Sequence, residues 1–283
     1  MQATFKTREG ESLMETIEKI EQWRERYGKW KDGGQGAARD DVGDDYPWIE
    51  NKRSPFVPAR RALPMMNLAL ISSAGAYIDG SEAFDVNAAG GDMSFREIPV
   101  EVEAEDFLFS ARGYDPQAVR EDLNAQVPLE RLFEFQNNGI IGQFNSVFWS
   151  FCGFIPDAGR MVETMLPELI TRINRYEVQA ALLVPASKLC HQSIALVARR
   201  LEQEGIPTMM LAVARDITEA LHPPRAGYYN GEFGSVAGKP NWPEFQRRIL
   251  DEALRLLEPM DQPSVRKLNV DIETSVQKGR GER

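Results

Sequence analysis

The sequence predicts an α/β fold, a mostly parallel sheet with flanking helices built from Rossmann-like β-α-β units, preceded by an N-terminal helix and a flexible linker. Two stretches carry that reading. Val178 to Val184 is a continuous apolar run of the kind buried on both faces of a parallel sheet, and Ile194, Leu196, Val197 and Leu201 then recur at helical spacing. Gly205 ends this helix and Pro207 begins the next extended run, Thr208 to Val213. Such a unit makes a right-handed crossover, and ligands in such sheets sit beyond the carboxyl ends of the strands. Ser187 to His191 occupies one of these ends.

The elements follow in order. Ser12 to Arg26 has an amphipathic pattern through Leu13, Ile17, Ile20 and Trp23, with Ser12 as N-cap and Glu15 three residues on, and is expected to pack on the core or on a partner subunit. Lys31 to Asp45 is Gly- and Asp-rich and reads as a mobile linker. Its Asp40, Asp41, Asp44 and Asp45 lack the alternating ligands and terminal Glu of a calcium loop, so they read as solvated. The first strand is Asn67 to Ser72, and the turn Ser72 to Tyr77 lies at its carboxyl end. Ser72, Ser73 and Gly75 there suit a carboxylate or phosphate, without completing a dinucleotide or P-loop motif. Phe107 to Ser110 is a further short strand, followed by Arg112, Tyr114, Asp115 and Asn124, a polar set fit for a zwitterion or carboxylic acid.

Beyond the central unit, Arg215 follows a strand end and is a second candidate for holding a carboxylate. Phe233, Gly234 and Gly238 belong to an aromatic segment that either closes over a pocket or simply connects elements. Trp242 to Leu257 reads as a long helix packing through Phe245, Ile249, Leu250 and Leu254, and the polar tail after Pro259 as frayed. The expected organisation is residues 1–60 as helix and linker, 61–258 as the α/β domain, in one or two lobes, and 259–283 as tail.

With 283 residues and 42% hydrophobic content, the chain can bury a sizeable core. A net charge of −10 argues against nucleic acid or an anionic membrane surface as partner, because phosphate contacts need Lys and Arg in excess. Two cysteines, no bilayer-length apolar run and no basic-then-apolar signal at Met1 point to a reducing, cytoplasmic setting. With two His and two Cys, no metal ligand cluster is evident, and the sequence requires no organic cofactor.

Cys190 near a helix N-terminus has two readings. The helix dipole favours a thiolate there, which would lower its pKa and make it a nucleophile or redox group, with His191 beside it as a proton donor. Alternatively it is a buried structural cysteine beside a polar His. Cys152, among Phe148, Phe151 and Phe154, either approaches Cys190 as a second thiol or fills core volume.

Several ordered motifs carry a family resemblance. Val184-Pro-Ala-Ser-Lys-Leu-Cys-His-Gln-Ser, Gly205-Ile-Pro-Thr, Ala214-Arg-Asp-Ile-Thr-Glu and His222-Pro-Pro-Arg-Ala are joined upstream by Gly91-Asp-Met-Ser-Phe-Arg-Glu-Ile-Pro, Tyr114-Asp, Pro128-Leu-Glu-Arg-Leu and Trp149-Ser-Phe-Cys-Gly. From about Leu63 to Leu257 the chain resembles component B of the glycine, sarcosine, betaine and D-proline reductases. The resemblance implies a reductase in which a selenolate or thiolate attacks a substituted α-carbon, displaces the amine and is reset by an external thiol reductant, commonly within a multiprotein complex. It places selenocysteine or Cys three residues before a second Cys. Here the second position is Cys190 and the first is Ser187, and a hydroxyl cannot form a bond to the Cys190 sulfur of the kind that cycle uses.

The resulting expectation is a thiol-dependent reductase acting on a small amino-acid-like or carboxylic substrate, with Cys190, Ser187 and His191 at the chemical centre. Ser72, Ser73, Arg112, Tyr114, Asp115, Asn124 and Arg215 would bind the substrate. Partner proteins or a homo-oligomer complete this reading. The alternatives are a non-catalytic relative that binds a small acid or a partner, and a lyase or hydrolase using Ser187 or Cys190.

Overall fold

The computed structural model describes residues 15–33 and 42–270. Among the described residues ten strands run in chain order: β1 Asn67–Ser72, β2 Ala76–Ile78, β3 Arg96–Pro99, β4 Phe107–Phe109, β5 Gln143–Phe144, β6 Val147–Ser150, β7 Ala180–Val184, β8 Thr208–Ala212, β9 Arg225–Tyr228 and β10 Ser264–Lys267. The α-helices are α1 Ile20–Asp32, α2 Gln117–Glu121, α3 Leu129–Asn137, α4 Ala158–Arg160, α5 Leu166–Ile173, α6 Lys188–Gln203, α7 Arg215–Leu221 and α8 Pro243–Leu254. A π-helical turn, Met161–Met165, joins α4 to α5.

The main sheet has the order β10-β9-β8-β7-β1-β6-β3, with β5 also pairing β1. Every pairing in it is parallel except β3 against β6. The predicted mostly parallel α/β architecture is therefore the one observed. β1 and β7 are apolar throughout because both their faces are covered. Leu68 and Leu70 of β1, with Leu182 and Val184 of β7, join the core shared with Leu132 of α3 and Ile249 of α8. Ala69 and Ile71, with Ala181 and Leu183, face the opposite core, which contains Leu169 of α5 and Leu196 of α6.

After β1 the chain builds the sheet toward β6, and after β7 it builds toward β8, so the strand order reverses between these two neighbours. Their carboxyl ends are level, Ser72 pairing with Val184. A ligand crevice in a sheet of this kind lies at that reversal.

Three expectations are corrected. The N-terminal helix is shifted from Ser12–Arg26 to Ile20–Asp32, because the aromatic stripe Trp23, Tyr27 and Trp30 extends the buried face beyond Arg26. Ser12, Leu13, Asp40 and Asp41 lie outside the described residues. Of the stretch expected to be a mobile linker, Lys31 belongs to α1 and Val42 is buried. Asp44 is exposed as expected, with Lys188 3.5 Å away. Phe107–Phe109 is a strand as expected, pairing antiparallel with β2 in a separate ribbon. The stretch after Pro259 is not wholly frayed: β10 pairs with β9, and Leu268 and Val270 are buried.

The segment before β1 is pinned to α6 by a buried guanidinium. Arg199 donates to the carbonyls of Thr16, Arg53 and His222 at 2.8, 2.7 and 2.9 Å. These bonds compensate the burial of its charge. Among the described residues no helix is long and apolar enough to cross a membrane.

Candidate functional site

The carboxyl ends of β1 and β7 are tied through Ser73. Its N–H donates to the Val184 carbonyl at 3.1 Å, and its hydroxyl accepts from Ala186 N–H at 3.0 Å. Ser187 follows with an extended backbone, φ −132° and ψ 179°, and caps α6 by accepting from Cys190 N–H at 3.2 Å. Ser at an N-cap satisfies a helix donor that would otherwise be buried without a partner. Cys190 lies in the first turn of α6, its sulfur 3.7 Å from the Ser73 carbonyl oxygen.

The surroundings close tightly over this turn. A Cβ on Gly153 would lie 2.4 Å from Ser73 Cβ and 2.8 Å from Cys190 Sγ, so residue 153 has to be glycine for its backbone to come this near. A Cβ on Gly113 would lie 3.2 Å from Ser187 Oγ, which sets that loop directly over the cap. Gly234 N–H donates to the Ala186 carbonyl at 2.9 Å, and the Phe233 ring meets His191 edge-on at 5.8 Å. Tyr114 Oη donates to the Ala74 carbonyl at 2.6 Å.

Cys190 is 1% exposed and Ser187 is fully buried. Burial pushes the Cys190 thiol up, outweighing the hydrogen bonds from Ser187 and Ser73 that act the other way. The expected lowering by the helix terminus is thus reversed, since desolvation acts on the charge more strongly than the partial charges of the first turn. Burial, followed by the neighbouring Cys190, pushes Cys152 up to about 12. The Tyr114 hydroxyl is also raised by burial, then by Cys190 and Cys152, which sets all three groups in one neighbourhood. Cys152 joins that neighbourhood through a bridge to Ala74.

His191 is committed to the fold. Its Nδ1 meets the Ser187 carbonyl at 2.7 Å and its Nε2 accepts from Val213 N–H at 3.1 Å, which fixes a neutral tautomer. Burial brings its pKa down to about 4. With both ring nitrogens engaged in these contacts, neither is presented to Cys190.

The remaining expected residues divide. Ser72 ends β1 at the crevice, its hydroxyl accepting from Ala74 N–H at 3.4 Å. Arg112 stays close, its guanidinium 4.3 Å from the Phe154 ring centroid and donating to the Val86 carbonyl at 2.6 Å. Asp115 is exposed and accepts from Gln117 N–H. Asn124 is bound to Asp122 and Glu130 in a different cleft. Arg215 pairs with Glu219 at 2.8 Å on the surface and stacks on Tyr228. Gly113 and Gly153 are the site positions that sequence reasoning missed, although each flanks a residue it had singled out.

Ser187 capping α6, Cys190 in its first turn and the half-buried Tyr114 gather at the strand-order reversal of an α/β protein. The family model for glycine/sarcosine/betaine reductase selenoprotein B matches residues 43–186. The D-proline reductase subunit gamma of Acetoanaerobium sticklandii is 30% identical over 213 residues, 75% of this chain and 86% of that protein. The glycine reductase complex component B subunit gamma of Symbiobacterium thermophilum is 23% identical over 58% of this chain, and the sarcosine reductase complex component B subunit beta of Peptoclostridium acidaminophilum 25% over 62%. The chain belongs to the glycine/sarcosine/betaine reductase selenoprotein B family. It spans most of the D-proline relative but only 39% and 40% of the other two. No solved structure matches it. The family match ends at residue 186, one position ahead of Ser187.

Proposed function

We propose that this chain is a subunit of a multiprotein reductase acting on a small amino-acid-like substrate, and that its Cys190 thiol serves reductive cleavage at the α-carbon only when the turn is opened within the assembly. The reading rests on the convergence of Ser73, Ser187 and Cys190 where β1 and β7 end side by side. In the opened site the Cys190 thiolate attacks the α-carbon, a C–S bond replaces the C–N bond, and the amine leaves with a proton. An external dithiol then supplies two electrons and two protons: the C–S bond breaks, C–H forms in the product, Cys190 returns as the thiol, and the dithiol becomes a disulfide. Of the two proposed carboxylate holders, Arg112 lies over the Phe154 ring and Arg215 pairs with Glu219 on the surface, which favours Arg112.

The closed turn also supports a second reading, a non-catalytic subunit. Cys190 is covered, its thiol is neutral, and the Ser187 hydroxyl is used as a cap. Product formation from D-proline, glycine, sarcosine and betaine with dithiothreitol, measured for the isolated chain and for the complex purified from its source, separates the two. The first reading expects turnover in the complex alone and its loss in Cys190→Ser. Full activity of a complex carrying Cys190→Ser removes this thiol from the chemistry and leaves the second.

A further inference from the structure

Residues 232–238 follow β9 and fold onto the turn between β7 and α6. The segment has its own internal support, Ser235 N–H donating to the Glu232 carbonyl at 3.3 Å and Gly238 N–H to the Ser235 carbonyl at 3.0 Å. Its outer side is in water, with Glu232 and Phe233 exposed, while Gly234 to Gly238 are buried. Val236 and Ala237 belong to the same core as Cys190, whereas Cys152 belongs to the opposite one.

One side chain spans the segment and the turn. Gln126 is 0% exposed, and its Nε2 donates to the Pro185 carbonyl at 2.9 Å while its Oε1 accepts from Val236 N–H at 3.1 Å. Pro185 lies past the end of β7 and Val236 past the end of β9, so neither group belongs to a strand ladder. Backbone bonds from Gly234 N–H to the Ala186 carbonyl and from Ala237 N–H to the Ala125 carbonyl, each 2.9 Å, flank this bridge. Without the amide, a buried donor and a buried acceptor would be left unpaired, which costs more than the bonds themselves contribute. Water replaces the amide only when the segment lifts.

We propose that Gln126 is a positioning residue, a latch whose amide holds residues 232–238 shut over Cys190, and that uncovering this thiol requires breaking its bonds to Pro185 and Val236. The inference rests on the reading that chemistry at Cys190 needs an opened turn, and it names the contact that keeps the turn closed.

Alkylation of the full chain by iodoacetamide at neutral pH, with Cys190 and Cys152 quantified separately by peptide mass spectrometry, tests it. Gln126→Met keeps a long unbranched side chain and removes both bonds. It should speed labelling of Cys190 about tenfold or more and leave Cys152 at the parent's rate. A merely structural role moves both thiols together, since loss of the whole fold opens both cores. Should Gln126→Met not fold, Gln126→Asn, polar but one methylene too short to span both partners, takes its place. Hydrogen exchange of the parent supplies a reading that needs no variant: the amides of Gly234, Val236 and Ala237 should exchange about tenfold or more faster than those of Leu182 and Leu183 in β7. Equal acceleration of both thiols, an unchanged Cys190 rate in the folded variant, or exchange of the three amides at the β7 rate overturns the inference. Neither measurement involves turnover, so the latch can fail while Cys190 stands as the reacting thiol, and the reverse.

Discussion

His191 makes stability depend on pH in a direction fixed by its environment. Folding brings its pKa from 6.5 down to about 4, because a fully buried imidazolium would lose its hydration. Above the unfolded value neither state carries the proton, and the stability of the neutral ring is fully present. As pH falls from 6.5 toward 4, the unfolded chain binds a proton that the folded chain refuses, so stability is lost and levels off below the folded value. At 1.36 kcal/mol per pH unit the loss is about 2 kcal/mol near pH 5 and about 3 kcal/mol in full. Urea unfolding of the parent and of His191→Gln at about pH 7.5 and pH 5 measures it, because Gln retains a donor for Ser187 and an acceptor for Val213 while other groups titrate alike in both proteins. The parent should lose about 2 kcal/mol relative to the variant across that interval. A constant difference, or an imidazole resonance titrating near 6.5, would refute the assignment of His191 as a neutral structural group and reopen its role as a proton donor.

The remaining predictions concern the same turn. In the native protein both thiols should react slowly with iodoacetamide at neutral pH, Cys152 having roughly a thousandth of an ordinary cysteine's thiolate, and urea should restore ordinary rates. Rapid stoichiometric labelling of the folded chain would contradict the closed geometry. Gly153→Ala should cost about 1–3 kcal/mol in chemical unfolding, since its methyl group collides with Ser73 and Cys190, and an unchanged midpoint would show that the contact yields freely. Ser187→Cys should give a chain that loses two hydrogens on mild oxidation and regains them with dithiothreitol, because residue 187 already has its side chain on the first turn beside Cys190. Intact mass reads the change, and its absence would mean that the turn cannot bring the two sulfurs into bonding geometry.

Legibility followed the physics of each element. β1, β7 and β8 are buried on both faces, so their apolar runs announce them. β10, Ser-Val-Arg-Lys, is an edge strand with exposed charge, a composition that protects sheet edges and reads as tail. The meeting of Ser73 with Ser187 and Cys190 was accessible because both turns follow strands that pair side by side. Asn124 and Arg215 were misplaced because their positions after predicted strands say nothing of side-chain direction. The cover formed by Gly113, Gly153 and Gly234 arises from approaches between segments distant in sequence, and no local pattern encodes it.

The serine at position 187 ties these observations together. A hydroxyl is a strong N-cap, worth about 1 kcal/mol to a helix, whereas a thiol accepts hydrogen bonds only weakly. Ser at this position therefore gives α6 a firmer start than a thiol would. The cap sets Cys190 N–H against the hydroxyl beneath Gly113, while burial keeps the thiol neutral against the opposing hydrogen bonds of Ser187 and Ser73. Any chemistry at Cys190 must first undo this capped and desolvated state. A partner that opened the loops around Gly113 and Gly234 would restore water to the sulfur and lower its pKa in the same movement. Under the proposed assembly, reactivity of Cys190 is therefore to be measured with the partner bound, with the isolated chain as the closed reference.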